Sequence, residues 1–388
     1  MGIKIKRVLI AHQSTIPHYR VSFYRKMEEL RPDWWTFSVV FDEKEIVRQR
    51  FFKEPIDPNE INFKIEKTRT YTQRIFGRSL TFQSFIFKAW KYDLIIIGNT
   101  LHNISYPLGF FYRLLGKSVA VWWHRRNFHK KNLRGMRKQR ENILLKLSKR
   151  SSGIFAYTNG VKKYLSEQGI SEQKLFVLNN TIDIDENRRV YNALRSQREK
   201  IRAEHNLTDK KTLLFVGRLD GTKKLDFLSE SIKHLKKLDS SYHLIVVGGG
   251  DELLKDSLLR DLGDETVTFH GILTKPEQLA PLYLMSDLYV YPGNVGLGPV
   301  QALCFDLVPA VIDSQNHNPE YEYLTDKNSM ILPDNTTTER YAEAIESLMN
   351  DPKKLNELRS ETWNSIKHLT IESMARNFID GINSILSH

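Results

Sequence analysis

The stretch 212–238, TLLFVGRLDGTKKLDFLSESIKHLKKL, decides the fold. A short apolar run ends at Val216, a turn holds Gly217 and Gly221, and from Leu225 the apolar positions recur at helical spacing as Leu225, Leu228, Ile232 and Leu235. A buried strand, a glycine turn and an amphipathic helix in that order form the unit from which helix-covered parallel sheets are built. The unit repeats downstream, with strands expected at 243–247, 267–270, 288–291 and 310–312 and helices at 252–261, 275–285 and 299–305. Upstream the same alternation predicts strands at 7–11, 36–41, 94–98, 118–123, 153–156 and 175–178, with helices at 20–30, 107–115, 138–148 and 160–168. The fold class is therefore α/β, with two Rossmann-like domains. We place the first at 1–182, a polar connector at 183–205 and the second at 206–365. A final segment, 366–388, carries an amphipathic helix at 373–386 with no strand of its own and is expected to cross back to the first domain.

With 388 residues, 40% of them hydrophobic and no low-complexity tract, the chain is neither disordered nor fibrous. The single cysteine, Cys304, excludes an intrachain disulfide and a multi-cysteine zinc site. A reducing, cytoplasmic setting is the simplest reading. The longest apolar runs, 94–97 and 119–123, fall far short of the roughly 18 residues of a membrane span, and no leader is read after Met1. Charge is divided unevenly: residues 1–200 hold 39 Lys+Arg and 18 Asp+Glu, a net +21, which leaves −9 for the remainder. Residues 101–150 carry 13 basic residues and one acid, Glu141, with Arg125, Arg126, Lys130, Lys131, Arg134, Arg137, Lys138 and Arg140 interleaved with Trp122, Trp123 and Phe128. This is a solvated basic face, or a docking surface for anionic lipid, a phosphorylated substrate or nucleic acid. No nucleic-acid-binding motif accompanies it, so no nucleic-acid partner is expected and an anionic membrane surface ranks above it.

Three turns follow strands of the second half, and ligands collect at the carboxyl ends of strands in open α/β sheets. In the first, 217–224, Arg218 and Lys223 can converge on one anion. The second, Gly248-Gly249-Gly250-Asp251, either lets a ligand approach the backbone or makes a tight strand-to-helix turn. The third, 292–299 (PGNVGLGP), joins three glycines to a proline-started helix, and the N–H groups of Val295 to Gly298 form a candidate anion cradle.

In this order the motifs resemble the family 4 glycosyltransferases of GT-B architecture. VGRLDGTKK resembles the family's phosphate-binding segment, VVGGGDE its glycine turn, and VTFHGILTKPEQLAPLYLMSDLYVYPG its run to the last of these strand ends. More faintly, IPHYRVSFYRKM, YTNGVKKYLSEQGI and VLNNTID in the first half look like family segments. The resemblance implies two Rossmann-like domains facing a central cleft and retaining transfer from a nucleotide-diphosphate sugar, UDP- or GDP-linked, to a glycan or lipid-linked acceptor in cell-surface polysaccharide synthesis. It implies no further cofactor and no metal. Arg218 and Lys223 would stabilise the leaving diphosphate, and His124, at a strand end, would serve the reacting centre. Donor contacts fall to Gly217, Gly249, Gly271, Asn294, Val295, Gly296, Leu297, Gln301 and Glu320, and acceptor contacts to His18, Tyr19, Arg20 and Asn99. Many family members carry two glutamates spaced E-x7-E where this chain has Gly293 and Gln301. The loop resembles a PGNVGL variant within the family, as does the later PEYE at 319–322, so a noncatalytic nucleotide-sugar binder stays open beside the enzyme, with a basic nucleic-acid binder third. Asp183-Ile184-Asp185 has the spacing of a metal-binding D-x-D but falls in the expected connector, where we read it as chance. The implied location is cytoplasmic, peripheral on the inner membrane face.

Overall fold

The computed structural model describes residues 5–13, 15–44, 61–75, 78–124 and 135–387. The chain divides into two compact units, one of Met1–Asn180 with Ile371–His388 and one of Thr181–Thr370.

The first unit contains β1 (Lys6–Ala11), β2 (Trp35–Phe41) and β3 (Lys64–Lys67), an antiparallel hairpin of β4 (Thr70–Ile75) and β5 (Arg78–Gln83), and then β6 (Leu94–Gly98), β7 (Ser118–Trp123), β8 (Gly153–Ala156) and β9 (Leu175–Val177). Apart from the hairpin, these strands form a parallel sheet in the order β3-β2-β1-β6-β7-β8-β9. β6 is buried along its whole length and β7 from Val119 to Trp123, as the unbroken apolar runs of 94–97 and 119–123 require when helices cover both faces. β3 and the hairpin escape the sequence pattern because KIEK and TYTQRI are polar and largely exposed, a composition suited to a sheet margin.

The helix Ile371–Leu386 completes this unit. Phe378 stacks on Phe155 with ring centres 4.2 Å apart and meets Phe23 edge-on at 5.5 Å. A Cβ on Gly381 would lie 2.4 Å from the Phe155 ring, so the glycine is what lets the helix approach the sheet.

The second unit contains β10 (Lys211–Val216), β11 (Tyr242–Val247), β12 (Val267–Phe269), β13 (Leu288–Tyr291), β14 (Pro309–Ile312) and β15 (Met330–Leu332), all parallel, in the order β12-β11-β10-β13-β14-β15. The segment expected as a connector is instead helical, Ile184–Leu194 and Arg198–Glu204, and belongs to this unit. Its polar residues mask an inward face of Ile184, Val190 and Ile201, which lie in the core. Asp183 of the D-x-D caps the first of these helices, accepting from the Glu186 amide at 3.1 Å. Arg202 is buried and donates to the carbonyls of Met285, Leu207 and Lys210 at 2.5, 2.9 and 2.6 Å, fixing the second helix to the unit.

Candidate functional site

In each sheet the strand order reverses once, between β1 and β6 and between β10 and β13. Loops leaving the carboxyl ends of the two strands at such a reversal diverge and leave a crevice.

In the second unit those loops are 217–224 and 292–298, and they are tied together. The Asn294 amide donates to the Thr222 carbonyl at 3.0 Å, and the Lys223 ammonium donates to the Asn294 carbonyl at 2.8 Å. Gly293 is pressed against the same residue: a Cβ there would lie 2.4 Å from the Lys223 backbone. No glutamate fits at 293 in this backbone arrangement. Beneath the loops runs a row of near-parallel rings, Phe305, Tyr283, Tyr289, Tyr291 and Phe215, with successive centres 4.6, 6.3, 5.6 and 5.1 Å apart. Tyr289 donates to the Val216 carbonyl at 2.9 Å, and the Lys223 ammonium sits 5.2 Å from the Tyr291 ring centre.

The electrostatics favour an anion. Burial pushes the Lys223 ammonium below its ordinary pKa and the Arg218 charge adds to that, while Asp220 opposes it. Arg218 is largely exposed, its Nε 3.6 Å from Asp220 Oδ2. Two cations thus meet at one sheet end with a single carboxylate beside them, an arrangement in which an anion would relieve both the repulsion and the lost hydration of Lys223.

The glycine cradle is narrower than its sequence indicated. The Val295 amide is not available to a ligand, because it donates to Nδ1 of His317 at 3.0 Å, and the other ring nitrogen of His317 donates to the Ile312 carbonyl at 2.8 Å. The N–H groups of Gly296 and Leu297 have no acceptor among the described residues. His317 and Asn318, whose amide donates to the Val295 carbonyl at 2.9 Å, hold this loop from the segment after β14. Sequence reasoning missed both, since their only signal is position after a strand.

The triple glycine serves the protein's own backbone. With φ at +138° and +159°, Gly248 and Gly250 let the neighbouring loop pass so closely that a Cβ would meet Gly217 O at 1.9 Å and Leu219 O at 2.2 Å. Gly249 accepts from the Leu219 amide at 3.1 Å and packs on Ile272. Gly271 is exposed with φ +65° and open space around it. Gln301 is engaged within the unit at both amide ends: Oε1 accepts from Tyr283 Oη at 3.2 Å, and Nε2 donates to Asn187 Oδ1 at 3.0 Å. Glu320 is buried in a short 3-10 turn, Pro319–Tyr323.

In the first unit, Asn99 follows β6 at the reversal. Its side-chain amide is buried, and neither polar atom has a hydrogen-bond partner among the described residues. His12 follows β1, stacks on Trp122 at 4.3 Å and lies edge-on to His124 at 5.3 Å. Burial, then the neighbouring His124 and Arg20, hold its imidazole well below the usual histidine range. His12 was overlooked because one histidine after a strand carries no spacing signal. His124 is thus brought into a cluster with His12 and Tyr157, the latter 6.3 Å away between ring centres. Of the expected acceptor residues, Tyr19 is exposed and His18 partly so. Arg20 corrects its expectation: it is 1% exposed, boxed by the rings of Tyr19, Phe23, Trp122 and Tyr157, and bonded to Tyr157 Oη at 3.1 Å and to Asn180. Its helix turns the guanidinium into the core, where it cannot meet an acceptor. Of the basic cluster, Arg137, Lys138 and Arg140 stand on the helix Gly135–Lys149, whereas Arg125, Arg126, Phe128, Lys130, Lys131 and Arg134 lie outside the described residues. Among the described residues no three His, Cys, Asp or Glu side chains gather as metal ligands.

Residues 197–364 match the family described as Glycosyl transferases group 1. Spore coat protein SA of Bacillus subtilis (strain 168) is 28% identical over 173 residues, which is 42% of this chain and 45% of that protein, so under half of the relative is spanned. Among solved structures, Anabaena Alr3699/HepE in complex with UDP is similar with a TM-score of 0.69 and 14% identity, over 98% of this chain and 100% of that one. The lipopolysaccharide outer core galactosyltransferase WaaB, in its apo form, is similar with a TM-score of 0.61 and 14% identity, over 98% and 99%. The chain has the GT-B fold of two Rossmann-like domains, and the stretch that matches the group 1 model covers most of its second unit.

Proposed function

We propose that the chain is a family 4-like, retaining glycosyltransferase of the PGNVGL-loop type that moves a sugar from a nucleotide diphosphate to a glycan or lipid-linked acceptor without a metal. The observation that carries this reading is the pairing of Arg218 and Lys223 beside the unengaged Gly296 and Leu297 amides at the strand reversal of the group 1 domain. As the bond from the anomeric carbon to the diphosphate breaks, negative charge grows on the leaving oxygen, and fixed donors at that point lower the barrier. The departing phosphate then accepts the proton of the incoming hydroxyl, so no protein nucleophile is needed. Gly217, Gly249, Gly271, Asn294 and Glu320 surround the donor in this reading. Gln301 and the Val295 amide serve it indirectly, through the protein contacts they make. His124, Asn99, His18 and Tyr19 are the first unit's candidate groups toward sugar and acceptor.

Support for a UDP-linked donor comes from the UDP bound to Alr3699/HepE, and support for an envelope glycan acceptor from the likeness to WaaB. Calorimetric titration with UDP- and GDP-sugars tests the reading, with affinity expected to collapse in the Arg218→Ala, Lys223→Ala double variant. Unchanged affinity would refute the phosphate site. The noncatalytic binder is favoured by one observation, the absence of any side chain at Gly293 to meet the sugar, and steady release of free nucleotide in the presence of acceptor rejects it.

A further inference from the structure

The first unit exposes large apolar side chains in a pattern that its core does not explain. Two 3-10 helices, Ser84–Lys91 and Phe110–Leu115, lie on either side of β6 in the chain, and the short helix Ser105–Gly109 runs straight into the second and packs against the first. Tyr112 locks the two together by donating to the Ile86 carbonyl. A 3-10 helix repeats every three residues, so positions i and i+3 share a side. Phe87 and Trp90 are such a pair, and so are Leu108, Phe111 and Leu114 across the junction of the last two helices. All five are exposed, Phe87 at 70% and Leu114 at 78%, while Phe85, Ile86 and Ala89 point inward. The row of aromatic rings extends from Phe87 to Phe82 at 5.7 Å and on to Tyr71 at 6.5 Å.

Cations flank this apolar surface. Lys91 lies 5.7 Å from the Trp90 ring centre, and Arg113 and Lys117 stand on either side of Leu114 in the chain. Between residues 78 and 124 the one acid is Asp93, and its carboxylate is held by the Arg7 amide at 2.8 Å. No helix among the described residues is long and apolar enough to cross a membrane. The other nearby acid, Glu66, is paired with Lys88 at 2.7 Å, and a face with tryptophan and phenylalanine at its centre, lysine and arginine around it and its acids engaged within the protein is complementary to the headgroup region of an anionic bilayer.

We propose that this face, Phe87, Trp90, Leu108, Phe111 and Leu114 with Lys91 and Lys117, docks the protein on an anionic lipid surface. The proposal is independent of the donor site, which lies in the other unit. Rings and leucines enter the headgroup boundary, while the lysines meet lipid phosphates.

The test uses the full chain with phosphatidylcholine vesicles prepared with and without phosphatidylglycerol. Cosedimentation is expected with the anionic vesicles, weakening as salt rises. Phe111→Ser with Leu114→Ser is expected to weaken it about tenfold or more, since each buried methylene contributes about 0.8 kcal/mol. Lys91→Glu with Lys117→Glu, which leaves the apolar residues intact, is expected to weaken it as well, while Leu253→Ser, an exposed leucine of the other unit, changes nothing. Brominated lipid should quench tryptophan emission, with most of the quench lost in Trp90→Phe. Nucleotide binding measured without vesicles stays at the parent value in every variant, so failure here is distinguishable from failure of the donor site. Equal sedimentation of the parent and both double variants would overturn the proposal. So would concentration-dependent dimerisation abolished by Phe111→Ser with Leu114→Ser, which would make a second copy the occupant.

Discussion

The ammonium of Lys223 donates to the carbonyl oxygen of Asn294 at 2.8 Å, so the charge offered to a ligand also ties the two loops that would hold it. Lys223→Ala removes both. We expect nucleotide-diphosphate affinity to fall by about tenfold or more and stability by about 1 kcal/mol, read by calorimetry and thermal unfolding. Lys223→Arg keeps the charge but not the compact single contact, and is expected to recover stability only in part. Parent affinity in Lys223→Ala would remove the residue from the site.

Gly293→Glu restores the residue that many family members carry, and it is expected to do harm. The first side-chain atom would sit 2.4 Å from the Lys223 backbone, so the loops must separate. We expect a loss of about 2 kcal/mol in stability together with weaker donor binding. A gain in turnover would show that the loop can move aside at small cost.

The position of the second family glutamate is governed by a different constraint. Asn187 donates its amide to the Asp183 carbonyl at 2.7 Å, which leaves its Oδ1 facing residue 301 and requiring a donor. Gln301 supplies one and Glu cannot. Gln301→Glu is expected to cost about 1–3 kcal/mol, as an acceptor faces an acceptor, with chemical denaturation as the readout.

His12 predicts a pH dependence of stability. Its folded-state pKa is depressed below the ordinary 6.5, chiefly by burial, and His243 and His270 shift the same way for the same reason. As pH falls through 6.5 the unfolded chain takes up these protons and the folded one does not. Stability is therefore full above pH 6.5 and is lost as pH falls toward the folded-state values. The unfolding temperature should be level near neutrality and decline below it, and His12→Phe should flatten part of the decline. An unchanged profile in that variant would mean that His12 is not the group responsible.

The sheets were legible because their central strands hold short, unbroken apolar runs such as 94–97 and 244–247, and the amphipathic helix from Leu225 to Leu238 was legible to the residue. What stayed hidden depends on contacts distant in sequence. The 183–205 segment is mostly polar, with 11 of its 23 residues charged, and its helical character shows only in three inward residues. The Val295 amide is taken by a histidine 22 residues further on, a fact that no local pattern encodes. Arg20 stands in the first turn of the helix His18–Leu30, an ordinary place for a surface cation, and its burial depends on Tyr157, Asn180 and Met374, the last 354 residues away.

That last contact has a bearing on biosynthesis. Met374 and Phe378 belong to the core formed by residues near the amino terminus, while Thr181–Thr370 closes on itself without them. During translation the middle of the chain can therefore complete its fold as it emerges. The opening half must wait, its Phe155 ring and Arg20 box uncovered, until the helix Ile371–Leu386 has left the ribosome. Such a nascent species exposes apolar surface that the completed unit covers.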